Sequence, residues 1–327
     1  MNRSGVALLI TLLFIAAMMA LAATFFALSN RAFSRVAERE ATVQTHALLY
    51  ELKHHVIGDL IDYAKAQTEP LCVAASDQAG CRQEMLATVF DGFYGLPLTV
   101  QTGPAVTVLS CQPAGTQIDI NSLKLPGEAN ASAAATAVHY RRTKVERYLQ
   151  ETHRLYATWQ LLELLDFVFD TTGQRYAYLK NDNRLNIARD RFERGRIGSL
   201  RQLRAIVEDY ALLSNDHAAL EVPWEKLFAF ESLTPSLDFD HLAPEACAIA
   251  FAQTPGACEQ VGLRATRESI ETLSAETNSS IAHFNMRFGY NPVLDCRVSY
   301  HSGGNRHVFT FGYDADHKRL SGFSMGF

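Results

Sequence analysis

Apolar positions fall into three regimes along this chain. From Val6 to Leu28 every residue is apolar except Thr11 and Thr24. At 1.5 Å per residue that run makes a helix of roughly 34 Å, enough to cross a hydrocarbon core of ~30 Å. No other stretch approaches this, so there is one candidate span and it comes first. The apolar residues then thin to a three-to-four residue spacing: Leu28, Ala32, Phe33, Val36, Val43, Ala47, Leu48, Leu52, Val56, Leu60 and Ile61. Arg31, Arg35, Glu38, Arg39 and Glu40 fall between them on other faces. No Gly or Pro occurs from Val6 to Ile57, and the first breakers are Gly58 and Pro70. The pattern predicts one long helix, lipid-compatible over residues 6–28 and amphipathic over 29–66, of which the breaker-free part from Val6 to Ile57 alone spans about 78 Å.

The rest of the chain alternates in character. Gly92 to Asn121 is rich in turns, with strands predicted at Leu98-Thr99-Val100, Val106–Leu109 and Gln117–Ile120. Ala131 to Glu231 holds three Gly and one Pro, and predicts helices over Ser132–Phe169, Ser199–Leu213 and Pro223–Phe230, with Ser199 as an N-cap after Gly198. The last fifty residues turn to period-two alternation: Phe284, Met286 and Phe288; Leu294, Cys296, Val298 and Tyr300; Phe309, Phe311 and Tyr313; Phe323, Met325 and Phe327. Turns at Ser302-Gly303-Gly304-Asn305 and Asp314-Ala315-Asp316 separate these sets, as in an antiparallel meander. A helical block between two β-type blocks reads as an insertion into one α+β domain. The expected division is 67–130 with 235–327 as that domain and 131–234 as an inserted helical domain.

Composition narrows the class. With 48% hydrophobic and 20% charged residues the chain is ordinary for a folded protein, which excludes disorder and collagen-like repeats. A mean hydropathy of −0.05 excludes several membrane spans. Thirty Lys and Arg against 35 Asp and Glu leave a net charge of −5, with no general basic footprint. The helical block is locally basic at Arg141, Arg142, Lys144, Arg147, Arg189, Arg191, Arg194, Arg196, Arg201 and Arg204. Because Glu146, Asp190 and Glu193 interleave, a solvated helix face is expected there, and no nucleic acid as partner. No Walker A, G-x-G-x-x-G, H-E-x-x-H or EF-hand loop is present, and no enzymatic activity is expected.

All six cysteines (72, 81, 111, 247, 258 and 296) follow the apolar run. None forms C-x-x-C and no His-x-x-x-His accompanies them, which argues against zinc, and their even number after the apolar run suits an oxidising compartment. Six cysteines allow fifteen pairings. The pairing preferred here takes Cys72–Cys81 and Cys247–Cys258 as local loops and lets Cys111–Cys296 join the two β-type blocks; free buried thiols are the alternative.

The N-terminus has three readings: a signal anchor, a secretory signal cleaved at Ala20-Leu21-Ala22, and a type IV prepilin leader. Met1-Asn2-Arg3-Ser4-Gly5 is a short basic leader ending in Gly5, and Val6 opens the apolar run at once. The helical pattern continues past the run instead of restarting after a cleavage site, which favours the third reading. Cleavage after Gly5 makes Val6 the first mature residue and Ile10 the fifth. Most pilins carry glutamate there, to meet the N-terminal amine of a neighbouring subunit. Ile10 offers no such charge, which suits a subunit with nothing beyond it in a filament and removes a costly carboxylate from lipid.

Gly5-Val6-Ala7-Leu8-Leu9-Ile10-Thr11-Leu12-Leu13 resembles the leader junction of the minor pseudopilin K proteins of type II secretion systems, hydrophobic fifth residue included. Four internal segments are similar to that family: Ile118–Leu123 (a strand ending in asparagine-leucine), Leu162–Asp170 (a helix end with aspartate, aromatic and aspartate), Ile197–Arg204 (a serine-leucine helix start), and Leu237–Asp240 with Pro244–Cys247 (a strand then a helix). Phe167 stands where the family has tryptophan, and aspartates stand for its asparagines around residue 240. The resemblance implies a pilin-like fold with the long helix packed on an antiparallel sheet. It implies processing by a prepilin peptidase between Gly5 and Val6, N-methylation of Val6, and a single pass through inner-membrane lipid with the globular part in the periplasm. It further implies other minor pseudopilins and the major pseudopilin as partners, at the tip of a secretion pseudopilus that exports protein across the outer membrane. A minor pilin of a type IV pilus or DNA-uptake system, acting as a binding module, is the alternative. Oxygen pairs at Asp182 and Asn183, Asp238 and Asp240, and Asp314 and Asp316 are of a type that binds Ca²⁺, though each also reads as a solvated turn. The resemblance makes Ca²⁺ a candidate cofactor, with none certain, and assigns none of these residues to it.

Overall fold

The structure, a computed structural model, describes residues 58–94, 97–102, 105–126, 133–171, 175–189, 192–230, 232, 234, 236–261, 277–302 and 305–326. The chain divides into two compact units, 1–63 and 64–327. Helix α1 (Asp59–Leu71) runs across the division, with Pro70 in its last turn. Among the described residues no helix is long and apolar enough to cross a membrane, and the Val6–Leu28 run lies outside them.

Helix α2 (Gln78–Tyr94) follows. Asp77 caps it, its Oδ1 accepting from Gly80 N at 2.9 Å, and the Cys72–Cys81 disulfide ties its first turn to the end of α1. Strands β1 (Leu98–Thr102) and β2 (Ala105–Pro113) come next, then the two-residue β3 (Ile118–Asp119), which passes into a 3₁₀ turn over Ile120–Leu123. The turn ends the predicted Gln117–Ile120 strand early because the Asp119 carboxylate captures Asn121 N at 2.8 Å.

The helical block comprises α3 (Ala133–His153), α4 (Thr158–Phe169) and α5 (Leu200–Ser214), with short helical turns at Ala177–Lys180 and Trp224–Leu227. The single helix expected over Ser132–Phe169 is therefore two. The break needs no Gly or Pro. Arg154 takes a left-handed φ of 59°, Leu155 is buried, and Tyr156 N donates to Asp216 Oδ2 at 3.2 Å. Tertiary bonds thus override a locally favourable helix. Ser199 caps α5 as expected, its Oγ accepting from Gln202 N at 3.2 Å. The predicted Pro223–Phe230 helix shrinks to one turn, because Phe228 and Ala229 form β4, parallel to β3. Gln117 Nε2 reinforces that pairing by donating to the carbonyls of Glu225 and Lys226 at 2.9 and 3.1 Å.

The chain returns through β5 (Leu237–Asp238), α6 (Pro244–Phe251), α7 (Pro255–Val261), α8 (Thr277–His283) and β6 (Met286–Arg287). It closes with β7 (Val293–Ser302), β8 (Asn305–Asp314) and β9 (Arg319–Gly326). Five antiparallel strands form one sheet in the order β1-β2-β7-β8-β9, so the neighbours β2 and β7 enclose the helical block in sequence. Along these strands Leu109, Cys111, Leu294, Cys296, Val298, Phe309, Phe311 and Tyr313 are buried, the period-two set expected of a half-buried sheet. Cys111 and Cys296 face each other in register with Cα atoms 4.1 Å apart, as neighbouring antiparallel residues can.

A second core joins the block to the return segment: Phe167, Val168, Ile206, Tyr210, Ile120, Leu123, Phe239 and Phe251 are among its fully enclosed members. Gly115 marks a close crossing there. Its φ is +81° and an added Cβ would stand 2.3 Å from Ser236 O, while its own carbonyl accepts from Asp238 N at 2.9 Å.

Candidate functional site

Three segments converge on a carboxylate–histidine cluster. Asp238 ends β5 with its side chain 1% exposed. Its Oδ1 lies 3.0 Å from His241 Nδ1 and accepts from Asp240 N at 3.2 Å, while Oδ2 accepts from Asn291 Nδ2 at 2.8 Å. Asn291, itself buried, donates also to Ala114 O at 2.8 Å. The far nitrogen of His241, Nε2, lies 3.0 Å from Asp91 Oδ1 on α2. The Tyr94 ring meets the imidazole edge-on at 5.3 Å, and Asp240 Oδ2 accepts from Gly289 N at 2.7 Å. Burial opposes charge on His241, but the hydrogen bonds and charges of Asp238 and Asp91 outweigh it and raise the ring's pKa above its ordinary value. Burial raises Asp240, with the neighbouring Asp238 adding to the effect, and burial likewise raises Tyr94.

A second hub is built on arginine. Arg142 on α3 is buried, donates from Nε to Leu123 O at 2.8 Å, and grips both oxygens of Asp166 on α4 through Nη1 and Nη2. Asn121 joins two more segments, its Oδ1 accepting from Ile197 N at 2.8 Å and its Nδ2 donating to Ile197 O at 3.0 Å. Arg194 lies 4.0 Å over the Phe167 ring and donates to the carbonyls of Phe167 and Ile187. Arg141 donates to the carbonyls of Ser122 and His283. Arg196 pairs with Glu193 at 2.8 Å, and Arg204 with Glu225 at 3.6 Å. The solvated basic face expected of the block is thus corrected in part: Arg142 and Lys144 are buried, the latter's Nζ lying 5.3 Å over the Tyr140 ring. Arg189 and Arg201 do stay exposed, around an open cleft of about 370 Å³ floored by Phe192. A second cleft, of about 290 Å³, lies beside the sheet, lined by Gln112, Thr116, Phe230, Asp295 and Thr310 among others.

No protein-family model and no curated protein matches this chain. Its coordinates are similar to a chain in the crystal structure of the GspK-GspI-GspJ complex from the enterotoxigenic Escherichia coli type 2 secretion system. The two share 11% identity and a TM-score of 0.49, over 89% of this chain and 99% of that one. A likeness at that level fixes neither fold nor function by itself.

Gly5, Val6 and Ile10 lie outside the described residues. The six cysteines join as Cys72–Cys81, Cys111–Cys296 and Cys247–Cys258, the pairing preferred from the sequence. The three oxygen pairs do not fit a Ca²⁺ shell of ~6–8 oxygens. Both Asp182 oxygens are taken by Arg184, whose hydrogen bonds pull the carboxyl down to about 2. Asp314 accepts from the backbones of Asp316 and His317, and Asp316 pairs with Lys65 at 3.0 Å. Asp238 is fully engaged as described above. Among the described residues no group of three or more His, Cys, Asp or Glu side chains is placed to hold a metal ion.

Sequence reasoning missed Asp91, His241 and Asn291, and the Arg142–Asp166 pair. Asp91 is 150 residues from His241, a separation no local pattern spans. A local signal did exist for α2: Asp77 three residues before Gly80 is an N-cap spacing.

Proposed function

We propose that this chain is a membrane-anchored minor pseudopilin of the K type, seated at the tip of a type II secretion pseudopilus, with a structural rather than enzymatic role. The observation that carries the reading is the junction itself: a basic leader ending in Gly5, directly before an apolar run whose fifth residue, Ile10, has no charge. In this reading residues 1–5 are removed by a prepilin peptidase, Val6 becomes the methylated N-terminus, and residues 6–28 rest in the inner membrane or against other pseudopilins in the filament. Both environments are dry, so one apolar helix serves in either. Residues 67–130 and 235–327 then form the pilin-like domain and 131–234 the inserted one. Three disulfides in the described part suit the periplasm. Helix followed by an antiparallel sheet, with a helical block between two neighbouring strands, suits a pilin-like core carrying an insertion. Arginines spent on internal carbonyls and carboxylates leave less of a basic face, which favours secretion over DNA uptake.

Replacing Gly5 with leucine tests the junction. The reading predicts that Gly5→Leu accumulates as the unprocessed precursor in cells that mature the parent chain, read as intact mass. Normal maturation of the variant would refute the leader assignment.

A further inference from the structure

With Asp91 and Asp238 ionised, only one protonation state of the His241 ring satisfies the geometry around it. Both ring nitrogens stand 3.0 Å from carboxylate oxygens, Nδ1 from Asp238 and Nε2 from Asp91. A carboxylate only accepts, so both nitrogens donate only when the ring is an imidazolium. A neutral ring would turn a lone pair toward one of the two anions. Asp238 cannot swing away, since Asn291 Nδ2 and Asp240 N hold it in a buried setting. Asp91 sits on α2, whose two ends are held differently. Its first turn is covalently fixed by Cys72–Cys81. Its body packs against β2, and its last turns bury Phe90, whose ring lies 5.1 Å from that of Tyr290, and carry Asp91 to the His241 bridge.

We propose that Asp91–His241–Asp238 is a pH-sensitive latch that holds the C-terminal half of α2 against the β5 segment when His241 is charged and frees it when the ring loses its proton. This device is independent of the secretion reading. The groups facing the ring are Asp91 and Tyr94 from α2 and Asp238 and Asp240 from its own segment; from the stretch before β7, Asn291 holds Asp238 and Tyr290 lies beside Tyr94. The carboxylates favour the charged ring, and the buried phenols stay neutral because burial raises both. The folded-state pKa of His241 lies above the unfolded value. The latch is therefore fully closed below the ordinary imidazole pKa of ~6.5 and opens as pH rises through the higher folded value.

Hydrogen exchange of the full-length chain, read by mass spectrometry from about pH 5 to about pH 9 and corrected for the intrinsic rate, tests this across the ~6.5 reference point. The expected result is a loss of protection in Gln78–Tyr94 of up to about tenfold per pH unit from ~6.5 up to the higher folded-state value of His241, levelling off above it. Protection in Leu200–Ser214 should stay level across the same range. Asp91→Asn should bring release to lower pH, because it removes one anion and leaves the buried Asp238 contact in place. His241→Gln should abolish the pH dependence; if that variant fails to fold, Asp91→Asn supplies the decisive readout. Flat protection of Gln78–Tyr94 in the parent chain, or the same profile in Asp91→Asn, would overturn the latch.

Discussion

At the scale of single residues, the described part is organised by polar side chains that connect distant segments. Arg142, with its side chain 9% exposed, satisfies Leu123 O and both oxygens of Asp166, whose side chain is 13% exposed. Removing one partner of such a pair strands the other's charge, and the loss is larger than the pair's net contribution. Arg142→Met is expected to cost about 3 kcal/mol of unfolding free energy, checked by the urea midpoint. An unchanged midpoint would mean that Asp166 finds water or another donor. Residues of this kind were poorly legible in the sequence. Charges at helical spacing read as a solvated face, and nothing local tells that Arg142 turns inward while Arg201 does not. The cap at Ser199 was legible, because its chemistry depends only on residues within one turn.

At the scale of elements, the strands of the sheet were legible because burying one face imposes strict alternation, as at Leu294, Cys296 and Val298. Helix α2 was not foreseen: Gly80 and Gly92 weaken its pattern, and Asp77 with the Cys72–Cys81 bond fixes its start. The break between α3 and α4 was equally hidden, since Tyr156 and Asp216 create it across the fold. The disulfides differ in reach, closing separations of 9, 11 and 185 residues. Chain entropy assigns about 3 kcal/mol to a loop of the shortest kind and about 5 kcal/mol to the longest. A Cys111→Ser, Cys296→Ser double variant should therefore lose more stability than Cys72→Ser, Cys81→Ser, measured side by side in urea. The reverse order would show that the sheet register alone holds β2 and β7 together.

At the scale of the whole molecule, the sequence of regimes matters more than any one contact: an apolar run, an amphipathic continuation, and an α+β domain with a helical block enclosed between neighbouring strands. The order of blocks could be read from periodicity. The shared core that fuses Ile120, Phe167, Phe239 and Phe251 could not, since their partners lie across the fold. The proposed role follows from the first regime, so the decisive measurement is the N-terminus of the mature full-length chain, by mass spectrometry of protein taken from a host with a prepilin peptidase. The account predicts a chain that begins at N-methylated Val6. A chain that begins at Ala23, or one that keeps Met1 despite an active peptidase, would contradict it.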